Sequence, residues 1–97
     1  MKPLQEIFLK NLVGTIREAR QRILADIDFL PEEEKKHLDA VVWEELQRLI
    51  HTFLCEFDGA TPLADLGLIS IVDENGQKFD RCLHELVFKD LEDDKLL

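Results

Sequence analysis

Between residues 31 and 59 the apolar positions recur with the period of a helix. Drawn at 100° per residue, Leu38, Val42, Trp43, Leu46, Leu49, Ile50, Phe53, Leu54 and Phe57 fall on one side. His37, Glu44, Arg48, His51 and Cys55 fall on the other. Pro31 suits a first helical position, and Glu32, Glu33 and Glu34 suit the positive end of the helix dipole. Asp58-Gly59 is a C-terminal stop. The pattern predicts a helix over 31–58.

A second stripe precedes it. Leu4, Phe8, Leu12, Ile16, Ala19, Ile23, Ile27 and Leu30 keep a near-strict i, i+4 rhythm, which predicts a helix over 3–29. Pro31 drives Leu30 out of the α region, so the two helices break there and fold back as an antiparallel αα-hairpin. Arms of this length run roughly 38 Å at 1.5 Å per residue. That exceeds the dimensions of a compact chain of this size, and the apolar stripes then predict pairing of two copies as a homodimer.

After the hairpin the texture changes. DGATPLADLG is punctuation, with a single turn opened by Thr61-Pro62. Leu66 to Val72 is apolar and β-branched, and Asn75-Gly76 is a strong hairpin signal. Strands are expected at Leu68–Asp73 and Gln77–Phe79, as a β-hairpin over 66–79. Asp80 is a candidate N-cap for a last helix over 80–92, running from Arg81 to Glu92, with Leu83, Leu86, Val87 and Leu91 inward. The expected fold class is α+β, mainly α: a long antiparallel αα-hairpin, then a small β-hairpin and a C-terminal helix, in one domain of 97 residues.

Charge sharpens this picture. The net charge is −9, and it is uneven. Residues 1–30 carry five Lys/Arg against four Asp/Glu, whereas residues 31–97 carry seven against seventeen. Such a field repels nucleic acid and anionic membranes and steers toward a basic protein. The first 14 residues are interrupted by Gln5, Glu6, Lys10 and Asn11, unlike a signal peptide, and no apolar run approaches the roughly 20 residues of a membrane span. Two cysteines without a secretory signal fit reduced thiols in the cytoplasm.

Candidate chemistry is sparse. His51 and Cys55 stand at i, i+4 and share a helix face, a spacing that suits two metal ligands, and His84 is a third donor. Cys82 is two residues from His84, but on a helix those side chains diverge. A cysteine nucleophile needs a base and an orienting group, which the sequence alone does not place. The Asp73–Gly76 stretch fails the spacing of a calcium loop. Lys10, Arg17, Arg20 and Arg22 are interleaved with acids on the first helix and form no duplex-binding footprint.

Partner binding is therefore the leading expectation. Asp58, Asp65, Asp73, Glu74 and Asp80 sit in predicted loops and turns, where a rigid scaffold presents side chains. The reading is a small acidic, non-enzymatic, cofactor-free interaction domain, immunity- or accessory-protein-like in size and charge. It would neutralise or scaffold a basic protein such as a nuclease toxin. The alternatives are a metal-binding or thiol-dependent protein using His51, Cys55 and His84, and a purely structural dimerisation module.

Overall fold

The computed structural model describes residues 3–80 and 82–95, with side chains through residue 92. Arg81, named above, lies outside the described residues. Among the described residues three α-helices make up the fold, α1 (Pro3–Asp26), α2 (Glu32–Asp58) and α3 (Leu83–Lys95), with a single 3-10 turn at Pro62–Asp65. No helix among the described residues is long and apolar enough to cross a membrane.

The αα-hairpin forms where the proline predicts it. Helical hydrogen bonding loosens after Asp26 into a tight turn, with Leu30 N–H donating to the Ile27 carbonyl at 3.0 Å. Pro31, at φ −58° and ψ 152°, stands just before α2 instead of inside it, and its carbonyl accepts from Lys35 N–H. Lys35 Nζ ties the turn to α2 by reaching Asp28 at 3.1 Å and Glu32 at 3.0 Å. Farther along, Arg20 grips Asp39 with two bonds of 2.7 and 2.8 Å and lies 4.7 Å above the Trp43 ring. That bidentate pair fixes the antiparallel register.

The core joins Leu9, Val13 and Ile16 of α1, Trp43, Ile50 and Leu54 of α2, and Leu83, Val87 and Leu91 of α3. Both long helices are turned from the faces that their stripes suggest. On α1 the buried line is Gln5, Leu9, Val13 and Ile16, while Leu4 is exposed. On α2 it is Trp43, Ile50, Leu54 and Cys55, which leaves Leu49 63% exposed and Phe53 half out. The reason is α3. It covers a second flank of each long helix, including the side of α2 that carries His51 and Cys55, so the buried arc is centred between two neighbours.

The small β-hairpin expected over 66–79 is not present, and the fold is mainly helical: no strand or sheet exists among the described residues. A lone antiparallel bridge joins Val72 and Lys78. Asp73 closes the turn by itself. Its Oδ1 accepts from Asn75 N–H at 2.9 Å and Gln77 N–H at 3.0 Å, and Gly76 supplies the left-handed φ of 78°. Backbone pairing is confined to Asp73 N–H on the Gln77 carbonyl and Phe79 N–H on the Ile71 carbonyl, both 2.9 Å, and past them the chain is drawn toward α1. Asp80 N–H donates to Gln5 Oε1 at 2.8 Å, and Gln5 Nε2 donates to the Asp80 carbonyl at 3.4 Å. Phe79 also packs on Phe8, with ring centroids 5.8 Å apart. Gly67 to Ser70 is left as exposed chain without regular secondary structure.

Helix α3 begins at Leu83, not at Asp80. Asp80 has its backbone held by Gln5, and Cys82 adopts φ 70°, which interrupts any helix running through it. The N-terminal cap comes from another helix.

Candidate functional site

Asp58 ends α2, and Gly59 (φ 73°) turns the chain there with its N–H on the Cys55 carbonyl. A carboxylate at a helix C-terminus is unfavourable to its own helix dipole. Here the side chain serves a different helix. Its Oδ2 accepts from the His84 backbone N–H at 2.8 Å and lies 2.5 Å from His84 Nδ1. Asp58 is therefore the cap of α3, with its side chain only 1% exposed. Its other oxygen, Oδ1, is buried and has no hydrogen-bond partner. Burial acts to raise the Asp58 carboxyl, but the N–H and imidazole of His84, with Leu83 N–H adding to the field, outweigh it and hold the carboxyl below its ordinary value.

This cap brings the three candidate ligands together. One donor atom each from His51, Cys55 and His84 lies within 4.8 Å of the other two. Cys55 Sγ is 3.8 Å from His51 Nδ1. The His51 and His84 rings meet edge-on with centroids 5.2 Å apart, and Phe88 of α3 closes over His51 at 5.7 Å. Asp58 occupies Nδ1 of His84 and so leaves Nε2 as its outward donor, with Glu85 Oε1 3.9 Å away.

Chemically the group offers two nitrogens and one sulfur beside a buried carboxylate. Burial, followed by the charges of Asp58 and Glu56, pushes the Cys55 thiol up, which disfavours a free thiolate nucleophile. Cys82, the other free thiol, is exposed at the start of α3. His37 lies near the hairpin turn, lining a groove with Leu30 and Leu38.

The five acids of the expected partner surface separate into groups. Asp58 is buried as described, and Asp73 is engaged by its own turn. Asp65, Glu74 and Asp80 are exposed around the 66–72 segment. The residue that sequence reasoning missed is Gln5. It is 0% exposed and holds the loop against α1, and its place in the 5, 9, 13 series is the only pattern pointing to it. No family model, curated protein or solved structure matches this chain.

Proposed function

We propose that this chain is a non-enzymatic interaction domain that receives a basic protein on the loop between α2 and α3. One observation carries the reading. Leu66, Leu68, Ile69 and Val72 are all exposed, Leu66 to 90%, in a segment where Leu68–Ser70 form no backbone hydrogen bond among the described residues. Asp65, Asp73, Glu74 and Asp80 adjoin it. An apolar strip rimmed by like charges is the composition of a binding surface: the strip supplies burial and the rim steers a cationic partner. The unpaired backbone can also accept a strand from that partner. The setting proposed is the cytoplasm, where Cys55 and Cys82 stay reduced.

Affinity capture on the immobilised chain at low salt, from extract of its source cells, is expected to retain a basic protein. A Leu66→Asp, Ile69→Asp variant should bind that protein at least tenfold more weakly. Asp65→Asn with Glu74→Gln should mainly lower the association rate and its salt dependence. Capture of no basic protein, or full affinity in the apolar variant, would sink the proposal.

The homodimer is also proposed, on the exposed line Leu38, Leu49 and Phe53 of α2. Light scattering should give the mass of two chains, and Leu49→Glu with Phe53→Glu should give one. A monomeric wild type refutes it.

A further inference from the structure

We infer that His51, Cys55 and His84 form a binding site for a thiophilic divalent cation of the zinc class, held between α2 and α3. The argument starts from spacing. His51 and Cys55 are one turn apart on α2, and His84 is brought over them when α3 docks. Tetrahedral zinc with bonds of about 2.0–2.1 Å to nitrogen and 2.3 Å to sulfur needs donors separated by roughly 3.3–3.6 Å. The three donor atoms lie within 4.8 Å of one another, and Cys55 Sγ is already 3.8 Å from His51 Nδ1. Closing the remaining gap is within the reach of small side-chain rotations at two half-buried imidazoles.

The surroundings match a metal site beyond the donors themselves. Zinc-bound histidines commonly donate their other ring N–H to a carboxylate, which fixes the tautomer and strengthens the ligand. Asp58 stands in that position, 2.5 Å from His84 Nδ1. It is itself buried, with Oδ1 lacking any hydrogen-bond partner, so the pocket holds an anion that a cation would offset. Two nitrogens and one sulfur exclude calcium and magnesium and favour zinc, cobalt or copper. Cys55 would bind as the thiolate, its proton released to solvent, and water would fill the fourth position.

The test uses the full chain, purified without an affinity tag, stripped with a chelator and titrated with cobalt(II). One equivalent should bind with the visible bands of a tetrahedral ion and a thiolate-to-cobalt charge-transfer band. Zinc should displace it. Cys55→Ser should abolish the charge-transfer band, and His51→Gln should weaken binding at least tenfold, while Cys82→Ser changes neither. Circular dichroism verifies that each variant is folded. If Cys55→Ser is not, His51→Gln, at a half-buried position, decides alone. Absent bands in the wild type, or unchanged cobalt binding in His51→Gln, would overturn the inference.

Discussion

Asp58→Ala is expected to lower the unfolding free energy by about 3 kcal/mol, because one substitution removes a helix cap and the partner of a half-buried imidazole. The carboxylate accepts from His84 N–H and meets His84 Nδ1, and its side chain is 1% exposed. Alanine leaves both donors without an acceptor in a place where water has little access. For a domain of this size the loss corresponds to a fall in Tm on the order of 15 °C, readable by circular dichroism. Asp58→Asn keeps an acceptor oxygen but not the charge and should cost about half as much. A loss below roughly 1 kcal/mol in Asp58→Ala would show that α3 does not depend on this cap.

The same residue gives the stability a pH dependence of definite sign. Asp58 is held below its ordinary carboxyl value in the folded chain, so the folded state binds its proton less readily than the unfolded state. Its contribution is fully present above the unfolded value of about 3.9 and is lost as the pH falls through that value toward the lower folded one. Asp39 behaves alike, since the Arg20 guanidinium holds it down. Chemical denaturation between neutrality and acid should show this decline, with a shallower slope in Asp58→Asn.

Leu54→Ala is the other large effect, expected at about 3–4 kcal/mol. Leu54 is 0% exposed and belongs to the cluster that all three helices build. Removing most of its side chain forfeits burial and leaves a cavity that three rigid neighbours can only partly refill. Because small domains hold only about 5–15 kcal/mol in total, urea unfolding should shift strongly. Leu54→Met, which conserves volume, should cost less than about 1.5 kcal/mol. Equal midpoints for Leu54→Ala and wild type would contradict the packing described here.

Local signals located the elements of this fold better than they located its faces. The break at Leu30-Pro31 and the stop at Asp58-Gly59 were legible because each is a property of the backbone at that position. The burial of Ile50 and Leu54 with the exposure of Leu49 was not. All four of Leu49, Ile50, Phe53 and Leu54 lie on one broad apolar arc, and only the docking of α3 selects which edge of it is covered. That choice also turned His51 and Cys55 from an outward stripe into a packed one.

The absent β-hairpin has a similar origin. Asn75-Gly76 marked a real turn, but a turn does not make a ladder: pairing stops at the Phe79 N–H bond to the Ile71 carbonyl, and the next residue, Asp80, is held by Gln5 of α1. Gly59 marks the end of α2 on local grounds, and Asp58 before it opposes its own helix dipole. Nothing local says that its carboxylate will cap a helix 26 residues later. The trio of His51, Cys55 and His84 was visible as residue types, and its convergence depends on that same contact.

The clasp of Gln5 on Asp80 spans 75 residues. During synthesis, the first turn of α1 must wait for a further 75 residues to leave the ribosome before its amide is satisfied. Until then the paired arms lack the cover that α3 and Ile71 give the cluster of Leu9, Val13 and Leu54, an adhesive intermediate. Loss of α3 is thus more hazardous to this fold than its 13 residues suggest.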